Sequence, residues 1–273
     1  MKIEAILLDD SVQAPLVPYK GKNWDLIHVI RIRPTQSLRS ISDPTSDATA
    51  ILGEDPRKWR RVKEGLLLGK NVLVDTPVAS DIRHLLELHS LAIKRKLRIE
   101  SVNLICAEHS VQYLKEFISK HTLLSMTISS SVLPVSNEFH LMKLAQIIDA
   151  SEWLAGSSCE RAAGETAVPK LNACVTLLVM RNGVKLLINT YRKLGGSRDL
   201  QIDAIFEDAI ATINPYAQSV TVSHFGGTVS HLGWRPTQLP SLLDEFSKRT
   251  SMGSPSNLRK QRRIIELARM AFN

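Results

Sequence analysis

Short apolar runs alternate with amphipathic segments through the first half of the chain, and this alternation restricts the fold more than any other feature. Buried strands are predicted at residues 2–8, 24–32, 47–52, 71–74 and 97–104. Helices are predicted at residues 57–68, capped by Gly69, and at 81–96, with Ser80 as the amino cap. Strands separated by helices imply a parallel sheet covered on both faces.

The second half changes from helices to strands. Helices are predicted at residues 111–119 and 138–154, and a strand at 123–133. Further strands are predicted at 171–180, 184–191, 200–206, 209–213, 219–225 and 228–231, and closing helices at 242–248 and 256–272. Asn182-Gly183 lies between two apolar runs and predicts a hairpin.

Together these patterns predict an α/β protein of two domains. Residues 1–100 form a degenerate Rossmann-like parallel-sheet domain. Residues 101–273 form an α+β domain with an open, mainly antiparallel sheet. The last helix could return to the first domain. Several strands of the second domain are apolar on both faces, which predicts a homo-oligomer formed through this sheet or a complex with a protein partner.

Composition argues against several classes of protein. The sequence contains no run of eighteen apolar residues, the length needed to span a membrane. Its first residues do not resemble a signal peptide. Cys106, Cys159 and Cys174 are widely spaced, which favours buried free thiols in a reducing cytoplasm. The net charge of +8 comes from basic clusters near residues 57–61, 94–98 and 259–263, interpreted as solvated helix faces. No nucleic-acid motif accompanies them, so nucleic-acid binding is not expected, although a polyanion-binding module remains a third interpretation.

The sequence of residues 69–80, GKNVLVDTPVAS, resembles the GKHVLVEKPLA segment of the Gfo/Idh/MocA family of NAD(P)-dependent sugar and polyol dehydrogenases. Residues 47–51, DATAI, are similar to the family's D-A-V-x-I strand. Asp149 followed by WLAG at residues 153–156 is similar to its H-x-x-D-x-x-x-W-L-x-G helix. The resemblance implies a nucleotide-binding domain followed by a substrate domain, with Asp75, Thr76 and Pro77 at the cofactor.

Three departures from the family pattern concern its chemistry. The loop after the first strand has no glycine to let a pyrophosphate approach, and it carries Asp9 and Asp10. Thr76 stands where the resemblance implies a catalytic lysine. Gln146 stands at the position of the histidine, three residues before Asp149, and a glutamine cannot act as a general base. His140 is six residues from Gln146 and is expected on another face of the helix.

Two functional interpretations follow from these departures. The leading one is a divergent oxidoreductase homologue, a pseudoenzyme without ordinary hydride transfer that acts as a binding, regulatory or partner subunit. The alternative is an active NAD(P)-dependent sugar or polyol dehydrogenase, in which Asp75, Thr76, Asp149 and His140 rebuild the proton path. In that case the basic helix beginning at Arg57 holds the cofactor phosphates.

No catalytic residue and no cofactor is assigned from the sequence, and any cofactor would be NAD or NADP. His224 and His231 flank Gly226-Gly227, but without a third ligand at suitable spacing they do not predict a metal site. Asn103 ends the strand that leads into the second domain and is interpreted as a strand-end polar residue.

Overall fold

The computed structural model describes residues 1–8, 19–20, 24–32, 36–132, 136–168, 173–192, 199–217, 219–227, 229–233, 239–251 and 258–272. The chain divides into two compact units. Unit 1 comprises Met1–Leu104 and Thr237–Ile265, and unit 2 comprises Ile105–Pro236 and Glu266–Asn273. The first unit therefore contains a late segment of the chain in addition to the predicted amino-terminal domain.

The helices and strands of the described residues are numbered in chain order. The strands are β1 Lys2–Leu7, β2 Tyr19–Lys20, β3 Asp25–Arg31, β4 Ala48–Leu52, β5 Asn71–Asp75, β6 Ile99–Val102, β7 Leu123–Val132, β8 Cys159–Val168, β9 Ala173–Met180, β10 Lys185–Arg192, β11 Leu200–Phe206, β12 Ala209–Asn214, β13 Ser219–His224 and β14 Val229–Gly233. The helices are α1 Lys58–Leu67, α2 Ile82–Arg95, α3 Leu104–Ala107, α4 His109–Ile118, α5 Asn137–Ala155, α6 Leu239–Ser251 and α7 Leu258–Phe272.

Unit 1 is built on a six-stranded sheet in the order β2-β3-β1-β4-β5-β6, in which all neighbours except β2 and β3 are parallel. The five parallel strands confirm the predicted Rossmann-like sheet. The chain order reverses between β1 and β4, and in open α/β sheets of this kind ligands bind outside the carboxyl ends of the strands at such a reversal.

The two faces of this sheet bury different helices. Ala48, Ala50 and Leu52 of β4 face a cluster that includes Leu243 and Phe246 of α6. Ile51 points to the opposite face and joins a cluster formed with α1, α2 and the first part of α7. Alternate residues of one strand thus contribute to two cores, as expected for a strand buried on both sides.

The amino ends of the parallel strands, called the amino edge of the sheet below, surround a buried ion pair. Lys70, just before β5, donates from Nζ to Glu4 Oε1 at 2.8 Å and to the Asp43 carbonyl oxygen at 2.5 Å. The Glu4 carboxylate also accepts from Thr49 Oγ1 at 2.5 Å, Ser42 Oγ at 2.7 Å and the Asp43 amide at 2.8 Å. Both charges are therefore paired and hydrogen-bonded inside the protein, the condition under which buried charge is tolerated.

Unit 2 is built on an eight-stranded sheet in the order β14-β13-β12-β11-β7-β10-β9-β8. Only the β7–β10 neighbours are parallel, so the predicted open, mainly antiparallel sheet is confirmed. The predicted hairpin joins β9 to β10, and Gly183 in its turn has a φ of 86°, a conformation that favours glycine. Helices α4 and α5 cover one face of this sheet.

Several local predictions were wrong. The amino cap of α2 is Asp81, whose side chain accepts from the Arg83 amide, and not Ser80. The strand predicted at residues 97–104 is limited to β6, because the chain turns into α3 at Leu104. Strand β8 was not predicted. The middle of β8 consists of Gly164 and neighbouring alanines in place of the β-branched residues that indicate a strand.

The basic cluster at residues 57–61 is not a wholly solvated helix face. Arg57 and Arg60 are exposed, whereas Lys58 and Arg61 are buried. Arg61 donates to Glu64 Oε2 at 3.3 Å. Counting charges along the sequence therefore overestimated the exposed positive charge of this cluster, because two of its four basic residues are buried.

Candidate functional site

The turn that follows β5 lies at the carboxyl edge of the unit 1 sheet. Asp75 ends the strand, and the bond between Thr76 and Pro77 is a cis peptide. The Thr76 amide donates to the Val102 carbonyl oxygen at 2.7 Å, which fixes the turn to the end of β6. The three residues that the resemblance places at a cofactor are therefore held together at the sheet edge where α/β proteins bind ligands.

A fully buried lysine supports this turn from inside. Lys58 is 0% exposed, and its Nζ donates to the carbonyl oxygens of Gly53 at 3.1 Å and Asp75 at 2.9 Å. The same Nζ lies 3.9 Å from Asp75 Oδ2. The ammonium group thus joins the carboxyl ends of β4 and β5 and offsets the charge of Asp75, at a position where it cannot reach a phosphate at the surface.

The Thr76 side chain contributes a buried hydroxyl to this turn. Thr76 is 3% exposed, and its Oγ1 has no hydrogen-bond partner among the residues that the structure describes. A buried hydroxyl that makes no hydrogen bond costs about 1–3 kcal/mol of stability. This group can donate to or accept from a ligand atom, but it carries no charge and does not titrate near neutral pH.

Helix α5 carries the other positions that the resemblance singles out. It begins after Ser136, whose Oγ accepts from the Phe139 amide at 3.3 Å, and ends at Gly156, with a φ of 63°. The helix is buried on every face along most of its length. Gln146 is 4% exposed and Asp149 is 5% exposed, so both polar side chains lie within the protein.

Lys143 contacts Gln146 directly and was not identified from the sequence. Its Nζ donates to Gln146 Oε1 at 3.1 Å and to the Tyr216 hydroxyl at 3.2 Å. Nζ also lies 5.8 Å from the centroid of the Tyr216 ring, within the range of a cation–π contact. The three-residue spacing of Lys143 and Gln146 is a signal that the sequence did contain, because such residues share a helix face.

His140 lies on a different face of α5, where it packs within unit 2. Its Nε2 is hydrogen-bonded to Thr190 Oγ1 of β10, and its ring centroid is 5.2 Å from that of Phe272. Burial lowers the pKa of His140 because the charged imidazolium is disfavoured away from water. His140 therefore contributes to the packing of α5 on the sheet, and it is not beside Gln146.

The remaining predicted positions do not add a further group to these sites. Asp9 and Asp10 lie outside the described residues, as does the side chain of His231. Within the described ranges, no three His, Cys, Asp or Glu side chains are grouped so that they could hold a metal ion. His224 lies with its ring centroid 6.3 Å from that of Phe117, in an aromatic cluster.

No helix in the described part of the chain has the length and apolarity needed to cross a membrane.

The candidate residues are divided between the two units. Asp75, Thr76 and Pro77 belong to unit 1, and Gln146 and Asp149 belong to unit 2. Each unit therefore carries its own polar group at a position that the family pattern marks. The unit 1 turn offers a hydroxyl beside backbone groups, and the unit 2 helix offers an amide beside an ammonium group.

Solved structures with the same fold are oxidoreductases. No protein-family model matches the chain, and no curated protein sequence matches it. The structure of a dehydrogenase (MviM) from Clostridium difficile is similar with a TM-score of 0.73, at 16% identity over 97% of each chain. UDP-N-acetylglucosamine 3-dehydrogenase GnnA from Acidithiobacillus ferrooxidans is similar with a TM-score of 0.69, at 12% identity over 99% of this chain and 97% of that one. GenD2 from gentamicin A biosynthesis, solved in complex with NAD, is similar with a TM-score of 0.68, at 11% identity over 99% of this chain and 93% of that one.

Proposed function

We propose that this chain, which has the fold of the Gfo/Idh/MocA-type oxidoreductases, is a ligand-binding homologue without ordinary hydride-transfer activity. It would act as a binding or regulatory protein, or as the non-catalytic partner of an active relative. A shared fold does not by itself determine activity, so the proposal is based on the side chains at the marked positions.

The observation that carries the proposal is the environment of Gln146. A dehydrogenase that oxidises an alcohol needs a group that takes up the hydroxyl proton. Gln146 does not titrate, and its oxygen already accepts a hydrogen bond from Lys143 at 3.1 Å. The helix position that the resemblance assigns to a histidine is therefore suited to hold a ligand and not to remove its proton.

The unit 1 turn supports the same conclusion. The resemblance implies a lysine at position 76, and this chain has a buried, neutral threonine there. The nearest cation identified, Lys58, is fully buried and bonded to two backbone carbonyls. The turn can therefore form one hydrogen bond to a ligand through Thr76 Oγ1, but it offers no charge to stabilise a developing alkoxide.

The proposal is tested by measuring cofactor binding and turnover on the same preparation. NADH and NADPH are titrated by calorimetry after mass spectrometry has shown whether nucleotide copurifies, and a polyol panel is then assayed for reduction of NAD and NADP. We expect no turnover above the buffer rate. Steady turnover of any polyol, abolished by Gln146→Ala, would show that the proposal is wrong.

A second candidate function is an active NAD(P)-dependent sugar or polyol dehydrogenase with a rearranged site. The buried Lys143 ammonium beside Gln146 favours it, because a lysine is a group that can take part in proton transfer. The exposed Arg57 and Arg60 would then hold the cofactor phosphates, since Lys58 is buried. This function predicts a change in NADH fluorescence on mixing that is lost in R57E/R60E and kept in the exposed-surface control K94E.

Association through the unit 2 sheet is part of the proposal. The sheet face opposite α5 carries Val175, Leu177, Leu187, Ile205 and Ile210, each at least 37% exposed. Leu177 and Leu187 are paired across β9 and β10, and Ile205 and Ile210 across β11 and β12. Apolar residues on neighbouring strands favour a protein partner, and we propose a second copy of this chain. Sedimentation should show a dimer that L177K/L187K dissociates, and a monomer at all micromolar concentrations would contradict this.

Cytoplasmic location is proposed from the thiols. Cys106, Cys159 and Cys174 form no disulfide, and the last two are buried. Free thiols persist in reducing compartments, whereas secreted proteins of similar cysteine content form disulfides. Cys106 is only partly buried, so it is the thiol that an alkylating reagent should modify first in the folded protein.

A further inference from the structure

The outward face of the unit 2 sheet, opposite α4 and α5, carries very little charge at its centre. The five central strands are β12, β11, β7, β10 and β9, and alternate residues of each strand point outward. Among the described outward positions of these five strands, only Lys185 of β10 and Asp203 of β11 are charged. The next outward charges, Arg161 and Glu165, lie on the edge strand β8. The central face therefore has one cation and one anion.

The two charges lie on opposite sides of β7, the middle strand of the five. Lys185 is the neighbour of Ser125 on one side, and Asp203 is the neighbour of Thr127 on the other. Because neighbouring strands are about 4.8 Å apart, β10 and β11 are separated by about 10 Å across the sheet. The outward residues of β7 between them have small side chains, so the middle of the face is lower than its two sides.

Neither charge has an ionic partner among the described residues of its own chain. Asp203 Oδ1 accepts from Thr212 Oγ1 at 2.8 Å, and its Oδ2 accepts from Gln201 Nε2 at 2.8 Å. These neutral donors hold the carboxylate in place without neutralising it. Lys185 is exposed, and its side chain makes no ion pair or hydrogen bond within the described ranges. Both charges can therefore be paired by groups of another molecule.

The exposed apolar side chains are divided between the same two sides. Leu177 and Leu187 lie on the Lys185 side of β7, and Ile205 and Ile210 lie on the Asp203 side. In an interface with two-fold symmetry, if residue i contacts residue j of the other copy, then j contacts i as well. A two-fold rotation about an axis along β7 therefore places the cationic side of each copy against the anionic side of the other. The apolar groups of the two sides meet in the same way.

We propose that a second copy of this chain docks on the outward face with the two-fold axis along β7, so that Lys185 of each copy pairs with Asp203 of the other. The inference rests on the proposed function, because it assumes association through the unit 2 sheet. It adds the orientation of the two copies and the charges that select the partner. A face with equal and opposite charges about its middle strand complements itself, which favours a second copy over an unrelated protein.

The experiment reverses each charge separately in the full chain and then mixes the two variants. Lys185→Glu carries two negative charges on the central face, and Asp203→Lys carries two positive ones. Each variant alone should associate about tenfold or more weakly than the native chain, because two attractive pairs become two repulsive pairs. An equimolar mixture should associate with a dissociation constant close to the native value, because each variant then meets the opposite charge. Sedimentation equilibrium measures all three constants.

A matched control and the possible outcomes separate this inference from the association on which it rests. Lys120→Glu reverses an exposed charge on α4, which covers the other face of the sheet, and should leave association unchanged. Native-like association of either reversed variant alone would overturn the inference, as would a mixture no stronger than its components. In both cases a dimeric native chain that L177K/L187K dissociates would still support the proposed association. A native chain that is monomeric at all micromolar concentrations would contradict both. Recovery in the mixture would also show that the two variants fold.

Discussion

The two edges of the unit 1 sheet both contain a buried lysine, and they differ in how completely the surrounding polar groups are satisfied. At the amino edge, Lys70 and Glu4 are paired at 2.8 Å within a network that supplies each charge with several hydrogen bonds. At the carboxyl edge, Lys58 bonds two carbonyls, and the neighbouring Thr76 hydroxyl has no partner. A satisfied network stabilises one conformation, whereas an unsatisfied buried group stores a cost that a ligand can remove.

The largest effect is expected from removing the amino-edge cation. Lys70→Met would leave the Glu4 carboxylate buried and without its ionic partner, and breaking a buried pair in this way costs about 3–5 kcal/mol. Urea unfolding should show a marked fall in the free energy of unfolding. Lys94→Met, an exposed change on α2, should alter it by less than about 0.5 kcal/mol. If Lys70→Met lowers the free energy of unfolding as little as the control does, the network does not stabilise the fold.

A smaller loss is expected at the carboxyl edge. Lys58→Met would remove a donor from the carbonyl oxygens of Gly53 and Asp75, and it would remove the ammonium group that lies 3.9 Å from Asp75 Oδ2. Because this ion pair is longer than the 2.8 Å pair of Lys70 and Glu4, we expect a smaller cost, about 2–3 kcal/mol. Amide hydrogen exchange should also increase at Thr76, whose backbone bond to Val102 depends on the same turn. Unchanged exchange there would mean that Lys58 does not hold the turn in place.

Acid should affect the amino edge through Glu4. Burial by itself raises the pKa of this carboxyl, but hydrogen bonds from Lys70, Thr49, Ser42 and Asp43 outweigh it and hold the pKa below the ordinary value of 4.5. The unfolded chain therefore binds more protons than the folded one below pH 4.5, so stability is present above that pH and decreases as pH falls toward the folded pKa. Unfolding measured across this window should show a shallower pH dependence in Glu4→Gln than in the native chain.

The smallest effect is expected from replacing a buried threonine by valine. The same substitution can be made at the amino edge and at the carboxyl edge, so it tests directly whether the two edges differ. Thr49→Val removes a donor to Glu4 and should cost about 1–3 kcal/mol. Thr76→Val removes a hydroxyl that has no partner and keeps its shape, so stability should stay the same or rise by up to about 1 kcal/mol. Thermal unfolding of the two variants decides between these outcomes, and an equal loss at both positions would show that the edges do not differ.

Much of the fold was accessible from the sequence because its signals are local. Runs such as residues 71–74 and the helix that ends before Gly69 follow from apolar periodicity and capping, and the hairpin follows from Asn182-Gly183. Strand β8 was missed since pairing with β9 compensates for its weak propensity. The cap of α2 was misplaced by one residue because Ser80 and Asp81 are both good caps, and only the backbone decides between them.

The candidate site was predictable only in part. The motif around Thr76 and the helix around Gln146 could be located by resemblance, and the loss of a titrating group at each could be stated from residue types alone. The orientation of the Gln146 amide could not, because it depends on the hydrogen bond from Lys143, which also donates to Tyr216, seventy-three residues after Lys143 in the chain. Lys58 was likewise interpreted as a surface charge until the structure showed it inside unit 1.

The sequence by itself determined which chemistry is absent at two positions, since threonine and glutamine do not titrate near neutral pH whatever surrounds them. It also determined most of the order of strands and helices, because periodicity is a property of neighbouring residues, although β8 and α3 were missed. The tertiary structure alone decided which charges are buried, which hydroxyl lacks a partner and which way an amide is turned. Those properties arise from contacts between residues far apart in the chain, and the free energy of a polar group depends on those contacts.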